Sequence, residues 1–262
     1  MDLNLAGRHV LITGGSKGIG LACAQEFCRE GAAVTLVARN QAGLDAALRE
    51  LAAQGFTARA VAADLACTDA AAAAVTSAQR DGGPIEVLVN SAGAARRTPF
   101  GELTPQAWHD AMQAKFFTYV HVMDPVIKLM GAAGRGVIIN VVGAGGKVAT
   151  PTHLAGGSAN AALMLASAGL AAAYGPRGVR VNVVNPGLTL TERLQEGLAA
   201  DARLQGKPAE ELLRAAQQRI PLRRIATPQE IANAVVFLAS DRASYITGAV
   251  VAMDGAVNPI VV

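Results

Sequence analysis

The chain has 262 residues, 52% of them apolar and 16% charged, with a formal net charge of +3. That length can bury a large core as one α/β domain, and the small charge excludes nucleic acid or a membrane surface as a partner held by bulk electrostatics. Cys23, Cys28 and Cys67 are scattered without metal-ligand spacing, so they read as buried free thiols of a reducing compartment and no metal site is expected.

The N-terminus carries Asp2, Arg8 and His9 and lacks the basic start and long apolar stretch of a signal peptide. Residues 9–13 read as a first strand, followed by a helix over about 18–30. Residues 33–38 form a second strand, with a helix to about 54, and 58–62 a third. The alanine run near Ala71 reads as a helix surface rather than a repeat. Further strands are expected at 85–90, 137–142 and 179–184, with a short last one at 249–253.

These runs are continuously apolar instead of alternating, as burial on both faces requires. Helix starts are marked at Thr104-Pro105 and at Thr227-Pro228-Gln229-Glu230, a full capping box with proline at the first helical position. The apolar stretch 155–173 contains Asn160, glycines and serines and ends at Tyr174-Gly175-Pro176, which fits a buried helix better than a membrane span. Residues 190–222 are too long for an ordinary connection and are a candidate substrate lid. The expected architecture is α/β: one Rossmann-type, doubly wound parallel sheet of about seven strands with helices on both faces. It spans 1–262 as a single domain of a cytoplasmic protein.

Thr13-Gly14-Gly15-Ser16-Lys17-Gly18-Ile19-Gly20 lies between the first strand and the first helix. A glycine turn there lets backbone N–H groups and the helix N-terminus approach a dinucleotide pyrophosphate. Sites selective for NAD usually keep a carboxylate after the second strand. This chain has Ala38-Arg39-Asn40, so Arg39, with Lys17 as a second charge, favours the 2′-phosphate of NADP(H) over NAD(H).

From here the chain resembles the short-chain dehydrogenase/reductase family over nearly all its length. The turn fits the family's TGxxxGxG pattern, Asp64-Leu65 falls where an Asp contacts the adenine ring, and Asn90-Ser91-Ala92-Gly93 fits the NAG-type motif. Asn185-Pro186-Gly187, then Thr189 and Thr191, fit the segment that contacts the nicotinamide amide and the phosphates. The resemblance implies a cofactor site of Gly14, Ser16, Lys17, Gly18, Ile19, Gly20, Arg39, Asp64, Leu65, Asn90, Ala92, Gly93, Pro186, Gly187, Thr189 and Thr191. It also implies a homodimer or homotetramer, or a hetero-oligomer with an active homologue.

Family members reduce a carbonyl with a Tyr as proton donor, a Lys four residues on, a Ser thirteen residues before the Tyr, and an Asn on the preceding helix. In this chain those positions fall on Gly156, Asn160, Gly143 and Lys115. Four residues beyond Tyr119, Tyr174 and Tyr245 stand Met123, Gly178 and Ala249, so no shifted register restores the pair. Lys115, able to stabilise an oxyanion, and His153, in the loop bordering the pocket, are the candidate catalytic residues. Tyr119, one turn beyond Lys115, reads as a core or interface residue, and Gly156 and Gly157 are expected to widen the cleft. Three functions fit: an NADP(H)-dependent oxidoreductase with an atypical proton path, a non-catalytic cofactor-binding subunit, or a lyase or isomerase using Lys115 electrostatics.

Overall fold

Seven apolar runs form one parallel sheet because helices cover both of its faces. The computed structural model describes residues 2–93, 95 and 97–260 and, within them, every side chain but those at 200 and 204. The extreme residues of the expected unit 1–262, Met1 and Val261-Val262, lie outside the described residues. The strands are β1 (His9–Thr13), β2 (Ala33–Ala38), β3 (Ala58–Ala62), β4 (Val87–Asn90), β5 (Gly136–Val141), β6 (Val179–Pro186) and β7 (Val250–Met253). Their spatial order is β3-β2-β1-β4-β5-β6-β7, every neighbouring pair parallel. The direction of winding reverses between β1 and β4, which opens a crevice at the carboxyl ends of these strands.

The sequence-based strand boundaries shift at four strands: β5 lies one residue earlier than expected at both ends, β7 starts at Val250, and β4 and β6 each change by two residues at one end. The fourth strand starts at Val87, where its ladder with β1 begins, rather than at residue 85. β6 runs two residues further than expected, because Asn185 and Pro186 still pair with Ala252 and Met253 of β7.

Successive strand residues feed opposite layers. Val10 and Ile12 face a core closed by α1 (Gly18–Arg29), α2 (Gln41–Ala53) and α9 (Pro228–Ala239). Leu11 faces the other core, closed by α3 (Thr68–Gly82), α5 (Thr118–Ala133) and α6 (Leu154–Tyr174). In α3 the alanine run is more than a surface: Ala71, Ala74, Val75 and Ala78 recur at helical spacing and are buried against the sheet. The capping box of α9 forms as its sequence demands, with Thr227 Oγ1 accepting from Glu230 N at 3.3 Å and Glu230 returning the bond to Thr227 N at 2.8 Å. Thr104 caps α4 (Pro105–Ala111) by accepting from Ala107 N at 3.2 Å.

Between α4 and α5 the rod widens into a π-helical stretch, Met112–Phe117. Thr118 Oγ1 bonds back five residues to the Gln113 carbonyl at 3.1 Å. The segment expected to be a lid folds into α7 (Glu192–Gln205) and α8 (Ala209–Arg219), and α8 buries none of its residues. α6 is the one described helix long and apolar enough to cross a membrane, and half of that window is buried in this fold. Cys23 and Cys28 are buried as expected, but Cys67 is exposed, because it precedes the first turn of α3 at the sheet edge.

Candidate functional site

The nucleotide side of the crevice is made of backbone. Gly14 adopts φ +67° and donates its N–H to the Val37 carbonyl at 2.8 Å, turning the chain from β1 over the end of β2. A Cβ on Gly20 would stand 2.2 Å from the Gly14 carbonyl oxygen, so α1 packs onto the turn only because residue 20 has no side chain. Gly18 is left-handed at φ +58° and faces Thr191. Ser16 is half-buried in the turn, and Ile19 packs against the first core. The open N–H groups at the start of α1 and the positive end of its dipole suit an anionic phosphate.

Thr13 links this turn to β4. Its Oγ1 accepts from Ser91 N at 3.2 Å and Ala92 N at 3.3 Å and donates to Asn90 Oδ1 at 3.2 Å. Asn90 Nδ2 donates to Asn140 Oδ1 at 2.9 Å, and Asn140 Nδ2 to Ser167 Oγ at 2.9 Å. This buried polar ladder runs from β1 to α6 beneath the crevice. Only its Asn90 end is visible in the sequence motif, since Asn140 and Ser167 meet it through the fold.

Arg39 is exposed after β2 and makes no ion pair among the described residues. Lys17 differs: it pairs with Glu192 of α7 at 2.9 Å, both side chains well exposed, and that bond raises its pKa. Asp64 is exposed and folds onto its own loop by accepting from Ala66 N at 3.1 Å, while Leu65 is buried. The loop is held from across the sheet by Gln113 Nε2 on the Ala66 carbonyl at 2.6 Å and by His121 Nδ1 against the Leu65 carbonyl at 2.9 Å. Pro186, the last residue of β6, is buried, and Gly187 after it donates to the Met253 carbonyl at 3.1 Å. Thr189 is buried, bridging to Ala226, and Thr191 caps α7. The segment thus lies over the glycine turn.

The reaction side is made of side chains. Gly93, at φ +86°, backs onto the π-helical stretch so closely that a Cβ there would meet the Ala114 carbonyl oxygen at 2.3 Å. Lys115 follows on that stretch. Its Nζ donates to Tyr119 Oη at 2.8 Å and to the Val141 carbonyl at 3.3 Å, and stands 4.4 Å from the centre of the Tyr119 ring. Tyr119 Oη in turn donates to the Val141 carbonyl at 2.6 Å. Burial, with the nearby Arg193 charge second, pulls the Lys115 ammonium down to about 7, and burial pushes the Tyr119 phenol up. Tyr119 is therefore more than a packing residue, and Lys115 turns its ammonium to the carbonyl at the end of β5.

His153 is not a solvated loop residue. It immediately precedes α6, and its ring fills the place a side chain on Gly156 would take: a Cβ there would lie 2.2 Å from His153 Cε1 and 2.9 Å from Ala95 Cβ. On Gly157 a Cβ would meet the Gly145 carbonyl oxygen at 2.7 Å. The two glycines therefore admit the imidazole and the 144–146 turn, and they do not widen the cleft. The His153 ring nitrogen Nδ1 is buried without a partner, as is Asn160 Oδ1. Burial first, then Arg97, Arg193 and Lys115, lower the His153 pKa. Asn160 Nδ2 faces Gly143, where a Cβ would stand 3.3 Å away. Arg193 of α7 reaches into the same region, donating to the Ala95 carbonyl at 3.4 Å.

Comparison with known proteins places this geometry. The family model described as enoyl-(acyl carrier protein) reductase matches residues 14–258. The A-factor type gamma-butyrolactone 1′-reductase (1S-forming) of Streptomyces virginiae is 38% identical over 253 residues, covering 96% of this chain and 95% of that protein. Gluconate 5-dehydrogenase of Gluconobacter oxydans is 33% identical over 255 residues, covering 97% and 96%. Among solved structures, L-sorbose reductase from Gluconobacter frateurii complexed with NADPH and L-sorbose superposes with a TM-score of 0.93 at 32% identity, covering all of both chains.

Proposed function

Because the chain belongs to the short-chain dehydrogenase/reductase family, we propose that it is an NADP(H)-dependent oxidoreductase that interconverts a carbonyl and an alcohol by an atypical proton path. The observation that carries this reading is the backbone turn of Gly14, Gly18 and Gly20, with Arg39 exposed after β2 and making no ion pair among the described residues. The fit to a phosphorylated dinucleotide is physical. The turn leaves room for phosphate oxygens against N–H groups, and Arg39, exposed after β2, supplies a guanidinium for a ribose phosphate. The matched sorbose reductase, which binds NADPH, supports the choice of NADP(H).

When bound, the cofactor supplies hydride. The chain's own residues do the rest. Gly14 to Gly20 would hold the pyrophosphate, Arg39 the 2′-phosphate, Asp64 and Leu65 the adenine side, and Pro186 to Thr191 the nicotinamide side. Asn90, Ala92 and Gly93 form the wall between them. Reduction of a carbonyl leaves charge on oxygen, which needs a proton from a group whose pKa suits neutral solution. Among the titratable groups at this end of the crevice, burial brings Lys115 down to about 7 and His153 below its ordinary value. The segment 190–222 serves as the lid, carrying Arg193 to the cleft.

The test is a screen of ketones and ketoses, L-sorbose among them, following NADPH oxidation from pH 6 to 9, with NADPH binding measured by calorimetry. Turnover above background is expected. Tight NADPH binding without turnover on any substrate would replace this reading with a non-catalytic subunit, and co-purification with an active homologue would identify its partner.

A further inference from the structure

We propose that Lys115 delivers the proton to the substrate oxygen and that Tyr119 is its positioning residue. This deepens the oxidoreductase reading above and rests on it. An ammonium carries three N–H donors. Two of those on Lys115 are engaged, by Tyr119 Oη at 2.8 Å and by the Val141 carbonyl at 3.3 Å. The third has no acceptor among the described residues.

Tyr119 cannot be the donor itself. It is wholly buried, and its only O–H already goes to the Val141 carbonyl at 2.6 Å. What it offers is a lone pair and a ring face, both of which hold the ammonium. Lys115 is half-buried as a residue while its ammonium is desolvated, so the free N–H is met only by an oxygen that enters the crevice.

Its placement follows from the backbone. The π-helical turn presses the Ala114 carbonyl against Gly93 at the end of β4, and Val141 is the last residue of β5. Nζ therefore sits where ligands bind in open α/β sheets, at the carboxyl ends of the strands. His153 is the weaker candidate. Its ring is packed against Gly156 and Ala95, and the charged groups near it, Arg97, Arg193 and Lys115, are all cations that favour the neutral imidazole. Arg193 faces Lys115 as well, from the lid, and Tyr119 is the remaining titratable neighbour.

The step balances simply. As hydride reaches the carbonyl carbon, the C=O π pair moves onto oxygen. An N–H bond of Lys115 breaks and an O–H bond forms. The electron pair of the broken bond stays on Nζ as a neutral amine, which takes its proton back from water. Burial and the Arg193 charge bring both protonation states within reach near neutrality, as this exchange requires.

The chain has five lysines, so one can be followed by NMR of the 13C-lysine-labelled protein with NADP+ present. The signal that disappears in Lys115→Met is expected to titrate well below the other four. In Tyr119→Phe its midpoint should fall further, because an acceptor that supports the ammonium has gone. With any ketone that turns over, Lys115→Met should lower kcat by ~10²–10⁴ with NADPH affinity retained. Tyr119→Phe should move the alkaline limb of the kcat profile to lower pH, and His153→Ala should lower kcat by less than tenfold.

A Lys115 signal that titrates with the others, a limb unmoved in Tyr119→Phe, or near-normal turnover in Lys115→Met would overturn the assignment and leave the oxidoreductase reading standing. Absence of turnover in the unmodified protein would remove that reading and, with it, the role given to Lys115. The low Lys115 titration would then record burial alone.

Discussion

The crevice has two walls built by different means. On the side of β1 to β3 the contacts are backbone to backbone: Gly20 lies against the Gly14 carbonyl and Gly14 against the Val37 carbonyl. On the side of β4 to β6 they are side chain to side chain or to carbonyl: Lys115 to Tyr119 and Val141, and His153 over Gly156. A backbone wall tolerates almost no change at its few glycines and constrains little else. A side-chain wall can exchange its groups while the sheet beneath it stays the same. That explains how one chain can keep a tight glycine turn beside a wall whose side chains are free to differ.

The sharpest way to break this contrast is Gly20→Ala. The added Cβ meets backbone at 2.2 Å, so α1 must shift from the turn. Overpacking of this kind costs about 1–3 kcal/mol of stability, and NADPH binding measured by calorimetry should fall by a hundredfold or more. Retained binding would show that the wall is softer than its geometry. Next is the pH dependence of stability. The Lys115 pKa is about 7 in the folded protein against an ordinary 10.5. Between these values the unfolded chain binds more protons, so stability should rise with pH across that window and be lost as pH falls through it. Denaturant titrations of Lys115→Met should lack that rise.

Arg39→Ala should weaken NADPH binding by roughly tenfold or more, the worth of about 1.5–3 kcal/mol for a charged hydrogen bond, and leave NADH nearly unchanged. Equal losses for both cofactors would move the 2′-phosphate elsewhere. On the side-chain wall, Gly156→Ala should destabilise the protein, and His153→Gly should relieve most of that loss. The two therefore couple in a double-mutant cycle followed by thermal unfolding. The smallest effect belongs to Glu192→Gln. The exposed Lys17–Glu192 pair contributes less than about 1 kcal/mol, so NADPH affinity should change only a few-fold, upward if Lys17 then serves the phosphate.

The same division explains what could be read before the fold was known. The glycine spacing, the proline-marked caps at Thr104 and Thr227 and the apolar strand runs are local, and each carries its own physical reason within a few residues. The doubly wound parallel sheet followed from them, and the strand order came only with the fold. The reaction side resisted because its partners are distant: Val141 lies 26 positions from Lys115, and Arg193 lies 98 from Ala95. Tyr119 was within one turn of Lys115, yet a search for lysine beyond each tyrosine looks in the wrong direction along this helix. His153 and Gly156 are three apart, but only the turn that opens α6 lays the ring across the glycine.

The widened turn at Met112–Phe117 carries a further consequence for anyone editing this chain. An ordinary helix advances about 100° per residue. Removing one residue from the widened stretch would let it rewind as a plain α-helix, with the caps of both flanking helices intact. Lys115 would then swing a fraction of a turn relative to the sheet while Tyr119 stayed seated in the core. A single-codon deletion thereby becomes a molecular dial, one that re-aims the amine without altering any atom of it.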